Sequence, residues 1–321
     1  MKKTNISALL LAALLLIQLL CAPVSAVTAE PAADAQADAQ TASDNSAGDA
    51  SAEADSVPED QLLSSREQFS VAAKAALLID LNTNRVVYEQ DADERVYPAS
   101  LTKIMTCLIA LENGNLSDVV TVSESALADL DEDSSVAGLV VGEQMTLENL
   151  LYCMMVVSGN DACNVIAEHV AGSVTDFVRM MNQRAYELGC TNTHFNNPHG
   201  LHDESHYTTA RDLAIITQAA LKSENFRQIV DTYEYKLPDD NMRQNIPKLK
   251  TTNMLIYQSM SNSLYYPRAH GIKTGYTSQA GRCVISEATG DGLDLLGIVC
   301  GAATTVLDSG DLLMENFTEC A

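Results

Sequence analysis

The chain has 321 residues, 43 acidic against 19 basic side chains, a formal charge of −24 and no Trp. That balance argues against nucleic acid and anionic membrane surfaces as partners, because both are gripped by clustered Lys and Arg. An apolar content of 46% is enough for a real core, and the length suits one large domain with or without a small satellite.

Residues 1–26 read as an export signal. Lys2 and Lys3 form a basic start, Ile6 to Cys21 an apolar stretch, and Val24-Ser25-Ala26 a small-residue cleavage site. The apolar stretch is short for the roughly 20 residues of a membrane span, so cleavage is expected and membrane contact is limited to an uncleaved signal. Bulky Gln18-Leu19-Leu20 argues against lipidation of Cys21. Residues 27–66 carry nine acidic side chains and one basic one among Ala, Ser and Gln. Such a stretch buries too little apolar surface to offset its ordering entropy and reads as a disordered linker.

The folded domain is expected over 67–321. Ala75 to Leu81 and Arg85 to Tyr88, joined by Asn82-Thr83-Asn84, read as a β-hairpin. From Pro98, the spacing of Leu101, Ile104, Met105, Leu108, Ile109 and Leu111 predicts a helix ended by Gly114. Further helices are predicted over Thr146 to Val157, Asp161 to Val170, Asp176 to Leu188 with Gly189 past its end, and Thr209 to Lys222, where Thr209 and Asp212 resemble a capping box. After Pro267 the period changes. Three strands are predicted over 271–277, 282–288 and 293–300, the last two joined at Asp291-Gly292. The expected fold is α+β, one antiparallel sheet uniting hairpin and meander, covered by helices.

Three short motifs carry chemistry. Ser100-Leu101-Thr102-Lys103 places a hydroxyl and an amine one helical turn apart. Lys can deprotonate Ser only when neutral, which requires a pKa well below about 10.4. A helix start at Tyr97-Pro98-Ala99 would also leave backbone N–H groups free for an oxyanion. Ser158-Gly159-Asn160 falls in a break between two apolar helices, where a hydroxyl can relay a proton and an amide can grip a carbonyl. Lys273-Thr274-Gly275, on the first strand of the meander, offers charge and a hydroxyl for a carboxylate and room for a substrate backbone. Singly the first two are weak; Ser43-Asp44-Asn45 and Ser223-Glu224-Asn225 share the second pattern and read as bland. Lys273-Thr274-Gly275 is the most specific of the three.

In this order, 58 residues apart (100 to 158) and then 115 (158 to 273), the three resemble the penicillin-recognising serine acyltransferases. Together with Asn197-Pro198-His199-Gly200-Leu201, Tyr207 to Leu213 and Thr252-Asn253-Met254-Leu255, they are similar to the D-alanyl-D-alanine carboxypeptidases, the low-molecular-mass penicillin-binding proteins. The resemblance spans about residues 70 to 300. It implies a β-lactamase/transpeptidase-like fold with a helical subdomain, and action in the cell envelope outside the cytoplasm. It implies a peptidoglycan stem peptide ending in D-Ala-D-Ala as substrate, β-lactams as inhibitors, and no cofactor or metal. Ser100 would be the nucleophile, Lys103 its base and Ser158 the proton shuttle. Asn160 would hold the peptide; Lys273, lowering the Lys103 pKa, would bind the carboxylate with Thr274. Backbone N–H groups of Ser100 and Tyr276 would hold the oxyanion. The chain departs from the family in having no Arg or Lys over Ala302 to Ala321, which leaves carboxylate binding to Lys273 and Thr274 with help from Arg282. A C-terminal β domain is not expected within it. Rival readings are a serine β-lactamase, for which no Glu-x-x-x-Asn loop is found between Ser158 and Lys273, and a non-catalytic wall-binding protein.

The remaining polar clusters read as structural. His199, His202 and His206 are assigned to a turn rather than to zinc, and His169 to a cap or the surface. Asp129, Asp131, Glu132 and Asp133 read as a solvated loop, and Glu143 as an acid before a helix. The cysteines are expected to act as small core residues, with room for one bridged pair.

Overall fold

The computed structural model describes residues 71–128, 130, 134–262, 264–290 and 292–303. The export signal, the linker, the acidic run, Asp291, Cys320 and all but the first two residues of the stretch Ala302 to Ala321 lie outside them.

The hairpin forms as β1 (Ala75–Asp80) and β2 (Arg85–Gln90), with Asn84 at φ 56° in the turn. A 3₁₀ turn (Ala99–Thr102) leads into α1 (Lys103–Asn113). Then follow β3 (Val119–Thr121), α2 (Glu124–Leu127), β4 (Gln144–Thr146), α3 (Leu147–Val156), α4 (Asn160–Ala171), α5 (Val174–Glu187), α6 (Ala210–Ala220) and α7 (Glu224–Val230). The short β5 (Glu234–Tyr235) and β6 (Leu249–Lys250) precede the meander β7 (Ala269–Thr277), β8 (Gly281–Gly290) and β9 (Leu293–Ala302).

The predicted single sheet is present, with strand order β2-β1-β9-β8-β7 and antiparallel pairing throughout. Period-2 alternation divides its faces. Leu77, Ile79, Ile285, Leu296 and Ile298 join the main core with Leu101, Ile104, Leu108 and Leu213 from the helices. Ala76, Leu78, Val284, Leu295 and Val299 form a smaller cluster on the other side. The meander's end strand, β7, is an edge strand, and it packs against the 3₁₀ turn.

Helix ends follow local chemistry. Ser173 and Thr209 each accept an N–H bond from the residue three ahead, and Gly172 closes α4 at φ 79°. The box at Thr209 is only half made: the Asp212 carboxylate accepts from Asn192 N and Thr193 Oγ1 instead. The helix predicted from Pro98 begins as a 3₁₀ turn, because Ala99 adopts φ 48° and breaks α geometry before Ser100. Glu143, read as an acid before a helix, is fully buried and bonded to Arg243 and to Val140 N at 3.0 Å. Among the described residues no helix is long and apolar enough to cross a membrane.

Candidate active site

The 3₁₀ turn places Ser100 and Lys103 on one side, since residues three apart eclipse in that helix. Lys103 is fully buried. Its Nζ lies 3.0 Å from Ser100 Oγ, 2.7 Å from Asn160 Oδ1 and 2.7 Å from the His199 carbonyl. Asn160 Oδ1 and a carbonyl oxygen only accept. A neutral amine therefore gives its two N–H groups to them and turns its lone pair to the one partner that can donate, the Ser100 hydroxyl. Burial drives the Lys103 pKa down, against the opposing pull of Asp161 and Cys163.

The second motif lies between α3 and α4. Ser158 is buried with φ 63°, and Asn160 N donates to Ser135 O at 2.8 Å. The buried Asp161 carboxylate accepts from Ala137 N and Leu139 N, tying loop 135–139 beside the motif. Asn160 is thus brought to Lys103; Ser158 is not among the groups bonded to that amine.

The turn Asn197-Pro198-His199-Gly200-Leu201 does more than reverse the chain. Thr106 Oγ1 bonds Pro198 O at 2.6 Å, which presents the next carbonyl, that of His199, to Lys103. Gly200 has φ 93°, and a Cβ there would lie 1.8 Å from Ala99 O.

The third motif closes the cleft from β7. A Cβ on Gly275 would lie 2.9 Å from Ser100 N and 3.2 Å from Ala99 Cβ. The missing side chain therefore makes room for the chain's own Ser100 turn. Lys273, buried, donates from Nζ to Thr274 O at 2.9 Å. Its pKa is driven well down, first by burial and then by the charge on Lys103. Burial is thus the leading cause of the lowering at both amines, and their mutual repulsion disfavours charging both at once. Thr274 Oγ1 shares a hydrogen bond of 2.6 Å with Thr252 Oγ1, from the Thr252-Asn253-Met254-Leu255 block to which the sequence reading gave no role in the site. Tyr276 is exposed and pairs across the sheet with Arg282, whose guanidinium carbon sits 5.7 Å from the Tyr276 ring centroid.

The three histidines have separate duties. His199 Nδ1 accepts from Leu201 N at 3.2 Å, His202 packs edge-on against Tyr97, and His206 bonds Thr102 and Asn196. Burial pushes the His199 pKa down to about 3 and that of His206 to about 4, so both are neutral imidazoles at ordinary pH. The six described cysteines are free and buried.

Comparison with known proteins gives a consistent result. The family model for D-alanyl-D-alanine carboxypeptidase matches residues 62–304. The chain is 40% identical over 240 residues to D-alanyl-D-alanine carboxypeptidase DacF of Bacillus subtilis (strain 168), covering 72% of this chain and 58% of that protein. It is 35% identical over 242 residues to DacA of Escherichia coli (strain K12), covering 73% and 57%. The chain therefore spans less than two thirds of the length of these relatives. Among solved structures, a mutant of Streptomyces K15 DD-transpeptidase aligns with a TM-score of 0.66 at 31% identity, covering 74% of this chain and 93% of that one. Penicillin binding protein 5 from Haemophilus influenzae aligns at 0.67 and 32% identity, covering 78% and 69%.

Proposed function

Since the chain belongs to the D-alanyl-D-alanine carboxypeptidase family, we propose that it removes the terminal D-alanine from peptidoglycan stem peptides through an acyl-enzyme on Ser100. The neutral Lys103 amine takes the Ser100 proton as Oγ attacks the carbonyl carbon between the two D-alanines. The resulting oxyanion is held by the backbone N–H groups of Ser100 and Tyr276. Ser158 passes the proton to the departing nitrogen, the C–N bond breaks, and D-alanine leaves. Water, deprotonated by Lys103, then attacks the Ser100 ester and frees the shortened peptide. Asn160 holds the peptide amide, while Lys273 and Thr274 bind the terminal carboxylate. The substrate lies along β7, whose outer edge has no strand neighbour among the described residues. β-Lactams acylate the same hydroxyl. In this reading residues 67–321 form the catalytic domain and act outside the cytoplasm.

One observation carries the proposal: Lys103 Nζ sits 3.0 Å from Ser100 Oγ with its other two hydrogen-bond directions filled by pure acceptors. The test is incubation with a diacetyl-Lys-D-Ala-D-Ala peptide beside labelling by a fluorescent penicillin. D-Alanine release and a labelled band, both lost in Ser100→Ala, are expected. No release above the Ser100→Ala control would favour a wall-binding role. Rapid turnover of a chromogenic cephalosporin instead of a stable adduct would favour a β-lactamase.

A further inference from the structure

We propose that Thr102 and His206 are positioning residues for the oxyanion-binding amide of Ser100, acting as a hydrogen-bond relay that fixes the plane of the Ala99–Ser100 peptide. This rests on the reading of Ser100 as the nucleophile. The relay has one direction. Asn196 N–H donates to His206 Nδ1 at 3.1 Å, so the single imidazole hydrogen of the neutral ring lies on Nε2. Nε2 donates to Thr102 Oγ1 at 2.8 Å, and the Thr102 hydroxyl donates to Ala99 O at 2.8 Å. All the donors and acceptors of this path are then consistently used, and Thr102 and His206 are both buried.

The last acceptor is the significant one. A trans peptide holds its C=O and N–H antiparallel. Anchoring the Ala99 oxygen on the Thr102 side therefore aims the Ser100 N–H the opposite way. That nitrogen lies against β7, 2.9 Å from where a Gly275 side chain would begin, on the strand that also carries Tyr276. Ala99 itself sits at φ 48°, a conformation that a residue with a Cβ disfavours. The Thr102 hydroxyl is the side-chain group that bonds its carbonyl from inside the same turn. The His206 segment is tethered to the same stretch by paired backbone bonds between Val96 and Thr208. The imidazole is thus registered to the turn that it steadies.

The experiment uses the full chain and a chromogenic cephalosporin in single turnover, reading acylation rate and the fraction of titratable sites separately. Thr102→Val keeps shape and removes the hydroxyl. We expect its acylation rate to fall about 10- to 100-fold, with titratable sites still near one per chain. Thr102→Ser should recover to within about threefold of wild type, because it restores the donor. His206→Leu should lose a similar factor, and the double variant no more than either single one, because they act on one path. Noncovalent affinity for the cephalosporin, measured in a Ser100→Ala background, should not change with Thr102→Val. If His206→Leu fails to fold, the Thr102 pair still decides. A wild-type rate in Thr102→Val would overturn the relay. So would a rate loss matched by lost titratable sites, or additive losses in the double variant. A wild-type chain that never acylates would instead sink the nucleophile reading, and the relay with it.

Discussion

Lys103 and Gly275 show how much of the chemistry hangs on single groups. Burial lowers the Lys103 pKa below the ordinary Lys value of 10.5. Below its folded pKa the ammonium gives all three hydrogens away and has no lone pair for Ser100. Acylation by a penicillin should therefore rise with pH through that lowered pKa and level off before pH 10.5; a rate still climbing as an ordinary Lys titrates would refute the base. Lys103→Ala should cut labelling by a fluorescent penicillin by about 10³-fold with an unchanged circular dichroism spectrum. Gly275→Ala is a steric test. Its Cβ would press on Ser100 N at 2.9 Å and Pro98 O at 3.2 Å. It should slow acylation at least about 10-fold and destabilise the fold by about 1–3 kcal/mol. The Ser100–Lys103 pair was legible in the sequence because both partners lie in one turn. The other partners of Lys103 were not, since Asn160 Oδ1 and the His199 carbonyl arrive from 57 and 96 residues away. A backbone carbonyl in particular has no residue signature, which is why His199 reads from sequence as a mere turn.

At the level of elements, long apolar patterns were readable and short ones were not. The spacing over α3, α4, α5 and α6 located four helices to within about two residues, and α1 at its C-terminal end only, since its predicted start at Pro98 is a 3₁₀ turn. Strands β3 to β6 have two or three residues each, too few for a period to show, and they exist because neighbouring elements pin them. Helix α7 was missed although its start is written in the sequence: Ser223, dismissed as part of a bland Ser-Glu-Asn, accepts a bond from Phe226 N. This cap bears on the site only indirectly. The carbonyl of Val230, the last residue of α7, lies 2.6 Å from where a Gly271 side chain would begin on β7. Ser223→Ala should lower stability by about 1 kcal/mol in urea denaturation. Acylation should stay within about twofold of wild type, because Ser100 and Lys103 are held by α1 and the 197–201 turn. A large loss of acylation at full stability would mean that α7 positions β7 directly.

Over the whole molecule the charge of −24 is handled by placement. The linker stretch 27–66 alone contributes −8, from nine acidic and one basic residue. Within the fold, buried acids meet arginines: Glu143 meets Arg243, and Glu287 meets Arg227 at 2.7 Å. Asp161 and Asp212 are instead held by backbone N–H groups, and the part-buried Asp294 is placed differently again. It lies on β9 beside Glu287 of β8, with Arg227 and His270 also near, and Oδ1 is buried without a hydrogen-bond partner. Burial, and then the charge of Glu287 and its hydrogen bond, push the Asp294 pKa up to about 6. The folded chain thus holds this proton more tightly than the unfolded chain, where an Asp titrates at 3.8. Its favourable contribution is complete below pH 3.8 and is lost as pH rises through about 6. A fully buried pair with that shift would be worth about 3 kcal/mol; for a half-exposed carboxyl, solvent screening reduces this to about 1 kcal/mol. Asp294→Asn keeps the shape, stays neutral and can donate to Glu287 at every pH. It should stabilise the protein by about 1 kcal/mol at pH 8 in urea denaturation, with the gain shrinking steadily as pH is lowered from 7 to 4. A gain that does not vary with pH would mean that packing alone, and not the shared proton, governs this end of the sheet.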